Sequence, residues 1–294
     1  MACFYPIQAY KLENGQISFN EKGNVLQAIS LPCGRCVGCR LEKSRQWAIR
    51  CIHEAQMHTH NCFITLTYNQ EHYEYDLRYK HFQSFMRRLR KTYPGKPIRF
   101  YMAGEYGETN GRPHFHACLF GIDFADKRIF KNLPSGSFLY TSASLERLWP
   151  FGYSTVGDVT FESAAYVARY ILKKQTGKNA ETHYQSCDDR TGELRPIRAE
   201  FNKMSLKPGI GATWLNKYHP DIYPKGLVIH QGQKMKPPKY YDKYFKKINP
   251  QQYEDLQYER IKNFNYEDNT QSRLSDKERV TKAKLSLKKR GFQK

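Results

Sequence analysis

Apolar residues recur with two different periods along the middle of the chain, and the two periods distinguish helices from strands. Apolar positions three or four residues apart predict helices, which we place at 41–58, around Phe82, Phe85 and Leu89, at 145–149 and at 162–174. Short runs of β-branched and aromatic residues predict strands, which we place at 62–68, 98–105, 113–120 and 153–159. The order of these elements indicates an α+β fold in which an antiparallel sheet is backed by helices.

Charge adds a class of partner to this picture. The 294 residues include 48 Lys and Arg but only 28 Asp and Glu, a formal net charge of +20, together with 22 Tyr and 17 Phe. Cationic side chains neutralise phosphates and aromatic rings stack on bases, so this composition favours a nucleic-acid-binding protein. A charge that serves only solubility is the alternative.

Hydropathy excludes an integral membrane protein. Hydrophobic residues make up 39% of the chain and the mean hydropathy is −0.78. No apolar run reaches the roughly 20 residues that a membrane-spanning helix needs. The first residues, MACFYPIQAYKLENG, also lack the basic and then apolar pattern of a secretory signal. We therefore expect neither a membrane partner nor secretion.

The strongest candidate for chemistry is Pro113-His114-Phe115-His116. Because side chains alternate along a strand, His114 and His116 share one face, where two imidazoles can bind one metal ion. If the hairpin closes symmetrically, Glu105 lies across from His114 and adds a carboxylate to a site with open positions for water or phosphate. Glu108 in the hairpin loop is the alternative third ligand. Two histidines that merely pack in the core are the non-functional reading.

A second candidate group lies on the helix predicted at 162–174. Tyr166 and Tyr170 are four residues apart, so they occupy one helix face, and Lys173 and Lys174 follow on that side. A tyrosine hydroxyl has a pKa near 10 and is a poor nucleophile unless a cation helps, and a metal-polarised phosphate with a nearby lysine would provide that help. Two aromatic residues packed on the sheet are the alternative.

The third candidate is a cluster of cysteines near the N-terminus. Cys33, Cys36 and Cys39 lie within one short segment that contains glycine, with Cys51 or His53 as the candidate fourth ligand. Zinc is commonly bound by four such ligands, so the pattern indicates a structural zinc site. Reduced, buried or incidental thiols are the alternative.

Taken in order, these motifs resemble a known family. They are the strand Phe63–Tyr68, the pair Gly104-Glu105, the segment Pro113–His116, and Tyr166 and Tyr170 followed by two lysines. This series resembles the three motifs of HUH-type rolling-circle replication initiators. It is most similar to the replication proteins of small single-stranded DNA phages, the gokushovirus branch of the Microviridae, as are the segments 32–40 and 44–47. The resemblance covers residues 30–175, and more weakly Trp214 and 236–241.

The resemblance implies a fold, an activity and a set of site residues. The fold would be a ferredoxin-like or RRM-like palm, and His114, His116 and Glu105 would bind Mg²⁺ or Mn²⁺. Tyr166 and Tyr170 are the nucleophile candidates. The enzyme would nick single-stranded origin DNA, form a 5′-phosphotyrosine intermediate, and rejoin the strand in rolling-circle replication.

The implied partners are origin DNA and the host replication machinery, in the cytoplasm of a bacterial host cell. Two other functions fit the same residues. A mobilisation relaxase or a single-strand transposase shares the histidine pair and the tyrosines. A non-catalytic zinc-containing nucleic-acid-binding protein would use the thiols alone.

We expect three regions along the chain. Residues 1–61 form a Cys-rich segment and helix, 62–176 the catalytic domain, and 177–294 a basic, partly helical C-terminal region. Its end, 275–294, is typical of a mobile basic tail or of a helix that orders on nucleic acid. Basic residues predicted to bind DNA are Arg87, Arg88, Arg90, Lys91, Arg112 and Arg169.

Overall fold

A computed structural model describes most of the chain, which divides into two compact units. The described residues are 3–72, 74–107, 111–133, 136–170, 180–187 and 191–287, with Tyr170 described by its backbone only. One unit contains the described residues up to Arg45 and those from Glu254 onwards, and the other contains those of Gln46–Tyr253.

The helices and strands are numbered in chain order. The strands are β1 (Ile7–Leu12), β2 (Ile17–Ser18), β3 (Val25–Leu31), β4 (Asn61–Tyr68), β5 (Arg99–Tyr106), β6 (Pro113–Phe120), β7 (Arg128–Asn132), β8 (Phe138–Thr141), β9 (Gly152–Gly157), β10 (Gln185–Cys187), β11 (Leu194–Pro196), β12 (Phe201–Met204), β13 (Val228–His230) and β14 (Gln233–Met235). The helices are α1 (Val37–Ala55), α2 (Tyr79–Thr92), α3 (Ala143–Leu148), α4 (Phe161–Tyr170), α5 (Ala180–His183), α6 (Ala212–Ile222), α7 (Lys239–Ile248), α8 (Pro250–Lys262) and α9 (Gln271–Leu287).

The larger unit is built on a seven-stranded sheet in the order β12-β5-β6-β4-β9-β8-β7, and its neighbouring strands are antiparallel. The hairpin β5–β6 lies near one end of this order, and β4 separates β6 from β9. The predicted α+β class with an antiparallel sheet backed by helices is therefore confirmed.

Helices cover both faces of this sheet. On one face, Leu66, Phe115 and Ala117 join the apolar side of α2, together with α3 and Trp149, in a buried cluster. On the other face, the residues from strands β4 to β6 pack with the second half of α1 and with α4 in a separate cluster; they are Phe63, Tyr101, Ala103, Cys118 and Phe120. Alternation along β6 thus sends Phe115 to the first face and His114, His116 and Cys118 to the second.

The smaller unit contains a three-stranded sheet in the order β2-β1-β3. Beyond it in the chain, α9 carries Glu278, which accepts a hydrogen bond from the hydroxyl of Tyr5. Asp268 precedes α9 and forms ion pairs with Arg273 and Lys277. These polar contacts link the first and last described segments of the unit.

Sequence periodicity located the central elements but not the short, exposed ones. The predicted helices at 41–58 and 145–149 and all four predicted strands match α1, α3, β4, β5, β6 and β9 within a few residues. Strands β1 to β3, β7, β8 and β12 were not predicted, because they lack a continuous apolar face; β7 is exposed at every position. Of the C-terminal stretch, α9 is helical to Leu287 and residues 288–294 lie outside the described residues. No described helix is both long and apolar enough to cross a membrane.

Candidate active site

The hairpin β5–β6 places the two histidines in the register that the sequence suggested. Glu105 pairs with His114, and Ala103 pairs with His116. The intervening Phe115 is buried on the opposite face. The two imidazoles therefore lie on one face, with 6.3 Å between their ring centroids.

His114 is held as a neutral imidazole with a defined tautomer. Its Nδ1 lies 2.5 Å from the carbonyl oxygen of Arg112, and because a carbonyl can only accept, Nδ1 carries the proton. Burial, reinforced by the neighbouring His116, lowers the pKa of His114 to about 4. The lone pair on Nε2 is thus available at neutral pH, which is the form that binds a metal ion.

His116 is held from both sides of its ring. Its Nε2 lies 2.7 Å from Oε1 of Glu105, and the hydroxyl of Thr65 on β4 lies 3.0 Å from its Nδ1. Both His116 and Glu105 are buried, with 5% and 4% of their surface exposed. Glu105 therefore reaches diagonally past its cross-strand neighbour His114 to contact His116.

Chemically, these three side chains suit a divalent cation, but they are not gathered round a common point. Two imidazoles and a carboxylate are a mixed nitrogen and oxygen donor set that leaves coordination positions open. Within the described part of the chain, the only group of three or more metal-ligand side chains whose donor atoms all lie within 4.8 Å of one another is a set of cysteines. The His116–Glu105 hydrogen bond accounts for one arm of this difference.

Helix α4 brings Tyr166 to the histidines. Its small and apolar residues, among them Ala164 and Val167, are buried against the sheet. Tyr166 is half-buried, and its ring meets that of His116 edge-on, with 5.2 Å between centroids. The second predicted tyrosine, Tyr170, is the last residue of α4, one turn further on.

Several predicted site residues lie outside the described structure. These are Lys173 and Lys174, the alternative ligand Glu108, and the side chain of Tyr170.

The structure separates most of the predicted DNA-binding residues from the histidines. Arg87, Arg88, Arg90 and Lys91 lie on α2, whose apolar side packs on the sheet face opposite to the histidine pair. Of these, Arg88 donates to the carbonyl of Leu148 at 2.9 Å. Arg112 is closer to the site, and its guanidinium donates to the carbonyl of Tyr68 at 3.1 Å. Arg169 on α4 is exposed.

The cysteine cluster is assembled, with a different fourth member from the one predicted. The thiols of Cys3, Cys33, Cys36 and Cys39 have sulfur atoms within 4.8 Å of one another. Cys51 is instead fully buried in the core of the larger unit. His53, in the same unit as Cys51, is stacked on Trp214 at 3.5 Å between ring centroids. Sequence spacing missed Cys3 because the ligand precedes β1, far from the others along the chain.

Backbone amides point at the sulfur atoms. The N–H groups of Cys33, Cys36 and Cys39 donate to the sulfurs of Cys3, Cys33 and Cys36 at 3.2, 3.4 and 3.4 Å. Burial raises the pKa of the Cys33 thiol, but hydrogen bonds from backbone amides outweigh this effect and lower the pKa to about 7. Gly34 adopts a left-handed conformation (φ +76°) that turns the chain between the first two cysteines. The cluster could hold a metal ion such as zinc.

Comparisons with known proteins agree with this arrangement. A family model for replication-associated proteins of the ORF2 type matches residues 61–175, which include β4 to β6 and α4. The chain is 35% identical over 260 residues to the replication-associated protein VP4 of Bdellovibrio phage phiMH2K, covering 84% of this chain and 78% of the relative. It is 30% identical over 273 residues to the replication-associated protein ORF2 of Spiroplasma virus 4, covering 84% and 81%. No solved structure matches the chain.

Proposed function

Because the chain belongs to the family of phage replication-associated proteins represented by these relatives, we propose that it starts replication by cutting one strand of single-stranded origin DNA. A tyrosine makes the cut and becomes joined to the DNA, and the same protein later rejoins the strand. The observation that supports this most directly is the position of Tyr166, whose ring lies edge-on against His116 at 5.2 Å between centroids.

His114, His116 and Glu105 would hold a divalent cation, Mg²⁺ or Mn²⁺. When bound, the ion would polarise the scissile phosphate and stabilise the charge that develops on its oxygens. His114 already presents the lone pair of Nε2, because its Nδ1 is bonded to the carbonyl of Arg112. Ligation would replace the present hydrogen bond between His116 and Glu105.

The reaction is an exchange of one phosphoester bond for another. The phenolic oxygen of Tyr166 or Tyr170 attacks phosphorus, a tyrosine O–P bond forms, and the bond from phosphorus to the 3′ oxygen breaks. The phenol loses its proton to solvent and the departing 3′ oxygen gains one. The products are a 5′-phosphotyrosine and a free 3′-OH. A 3′-OH can attack this ester in the reverse direction and close a strand without ATP.

Two tyrosines would allow repeated rounds. Tyr166 and Tyr170 are one helical turn apart, about 6 Å along the axis of α4, so both could serve one bound phosphate. One would hold the first strand while the other cuts the regenerated junction, with Lys173 and Lys174 assisting by their charge. Host replication machinery would extend the free 3′-OH in the cytoplasm of the bacterial cell.

The cysteine cluster would hold a structural zinc ion. A tetrahedral Cys₄ site with Zn–S bonds of about 2.3 Å places its sulfurs about 3.8 Å apart. The sulfur atoms of Cys3 and Cys36 lie 4.0 Å apart. The amide N–H groups that point at the sulfurs would stabilise their thiolate form. Such a site would tie the segment before β1 to the start of α1.

One observation favours a second candidate function, a non-catalytic zinc-containing nucleic-acid-binding protein. Among the described residues, the cysteines alone form an assembled ligand group. A relaxase or a single-strand transposase remains the alternative within the same reaction class, since the same histidines and tyrosines would serve it.

Covalent trapping on DNA separates these functions. The full-length protein is incubated with Mn²⁺ and a labelled single-stranded oligonucleotide that contains the phage origin, and the mixture is run on a denaturing gel. We expect a labelled protein band with the unmodified protein. The Tyr166→Phe, Tyr170→Phe double variant should give none, while Tyr258→Phe, which alters an exposed tyrosine in the other unit, should behave as the unmodified protein.

A band that persists in the double variant would place the nucleophile elsewhere. DNA binding without any covalent band would favour the non-catalytic function. Cutting only at a transfer or transposon end, and not at the phage origin, would favour the relaxase or transposase.

A further inference from the structure

A row of side chains leads from the histidine pair across the sheet to an exposed tyrosine. Thr67 on β4 pairs with His114 on one side and with Tyr153 of β9 on the other. Residues directly opposite each other on antiparallel strands project from the same face. His114, Thr67 and Tyr153 therefore form one row, and Tyr153 lies two strand spacings, about 10 Å, from His114.

This part of the sheet face is open. Helices α1 and α4 pack over Tyr101 and Cys118, towards the far end of β5 and β6. Around the row, in contrast, Thr65 and Thr67 are only half-buried, and 66% of the Tyr153 surface is exposed. A large aromatic side chain thus stands in solvent beside the candidate active site.

The position of Tyr153 is fixed by its neighbour. Gly152 begins β9 with φ +149°, and a Cβ atom there would lie 2.3 Å from the backbone nitrogen of Asn69. Only glycine allows this approach of the two backbones, which sets where β9 joins β4. Tyr153 is therefore presented by a defined strand and not by a loose loop.

The same face carries positive charge at its outer edge. Leu139 of β8 lies 3.6 Å from the Cβ position of Gly157, which pairs with Phe63 on the histidine face. On β7, Lys131 pairs with Leu139 and Arg128 with Thr141, so both cations project from this face, and both are exposed. Strands β7, β8 and β9 contain no acidic residue. Strand β7 lies four spacings from β6, about 19 Å.

We propose that single-stranded DNA lies across this surface, which we call the β9–β7 strip, with a base stacked on Tyr153 and its backbone phosphates near Arg128 and Lys131. The inference rests on the proposed function, because it takes the strand to be held at His114 and His116. An aromatic ring combined with cations is the arrangement that binds single strands without reading their sequence. Tyr153 is a positioning residue, which orients the strand and takes no part in bond making.

Binding measured separately from cutting tests the strip. The Tyr166→Phe, Tyr170→Phe protein is titrated with a fluorescent single-stranded origin oligonucleotide, and its dissociation constant is compared with that after a further change. Tyr153→Ala should weaken binding about 5- to 100-fold, the loss expected for one stacked base, and Tyr153→Trp should restore it. Tyr258→Ala removes a tyrosine of nearly equal exposure, 67%, and should have no effect.

The cations are tested by the salt dependence of the same binding. Arg128→Ala with Lys131→Ala should reduce the slope of log affinity against log salt by about 1 to 2, whereas Arg87→Ala with Lys91→Ala, on the opposite side of the sheet, should leave it unchanged. Tyr153→Ala that binds like its parent overturns the proposal. If the unmodified protein forms no covalent band but Tyr153→Ala still weakens binding, the strip stands and the nicking function fails; the converse result leaves nicking intact and removes the strip.

Discussion

The two groups of metal-ligand side chains in this protein differ in how complete they are. In the smaller unit, four cysteine sulfurs lie within 4.8 Å of one another, and backbone amides point at them. In the larger unit, two histidines and Glu105 share one sheet face, but the carboxylate is bonded to His116 and the ring of Tyr166 lies alongside. Structural zinc sites are closed by four protein ligands, whereas catalytic sites keep positions open for the substrate. The difference therefore assigns a structural role to the first group and a catalytic role to the second.

Removing the histidines should have the largest effect, and only on cutting. We expect His114→Ala with His116→Ala to abolish cleavage of an origin oligonucleotide. Most DNA affinity should remain, because it comes mainly from Lys and Arg contacts with phosphates. Zinc content, measured by elemental analysis, should stay at about one ion per chain. The exposed His60→Ala serves as the control. Metal-dependent cleavage by the double variant would break the assignment of the second group.

Removing one cysteine should have the opposite pattern. We expect Cys3→Ser to lose most of the zinc and the order of the N-terminal segment, because a structural zinc ion contributes folding free energy directly. Cys51→Ser, which changes a fully buried thiol of the larger unit, should keep the zinc. Elemental analysis and hydrogen exchange of residues 3–45 measure both outcomes. Zinc retained in Cys3→Ser but lost in Cys51→Ser would restore the ligand set suggested by sequence spacing.

A smaller effect should follow from Thr65→Val. The Thr65 hydroxyl lies 3.0 Å from Nδ1 of His116 and orients the ring. Loss of such an orienting bond typically costs 10- to 100-fold in metal affinity. We expect the Mn²⁺ concentration that gives half-maximal cleavage to rise about tenfold or more, with full activity at saturating metal. Thr65→Ser should restore the low requirement. An unchanged metal requirement in Thr65→Val would show that this bond is only structural.

The smallest effect concerns His53, which is excluded from the cysteine cluster. Burial lowers the pKa of His53 to about 3, whereas its pKa in the unfolded chain is about 6.5. The unfolded chain therefore binds a proton that the native protein does not, and stability is lost as the pH falls below about 6.5. This costs about 0.8 kcal/mol at pH 6.

His53→Phe should remove this part of the pH dependence and leave the zinc content unchanged. Urea unfolding at pH 7.5 and pH 6, together with elemental analysis, measures both. Loss of zinc in this variant would mean that His53 is a ligand after all.

The sequence allowed the histidine site to be predicted largely because its geometry is local. Alternation along a strand and closure of one hairpin suffice to place His114, His116 and Glu105 on one face. Contacts between distant segments could not be found in this way. Cys3 joins the other thiols only because the chain before β1 returns to the start of α1, and Thr65 reaches His116 only through the pairing of β4 with β6. Tyr153 appears as an ordinary strand residue until the order of the sheet shows which face it occupies.

The central claim is that a tyrosine of α4 becomes joined to the 5′ end of cut DNA. Its most direct test is peptide mapping by mass spectrometry of the covalent product formed with Mn²⁺ and an origin oligonucleotide, after digestion of both protein and DNA. We expect a nucleotide attached through its 5′ phosphate to Tyr166 or Tyr170, and a free 3′-OH on the released fragment. Cleavage that leaves no modified peptide, or a nucleotide found on any other residue, would contradict the claim.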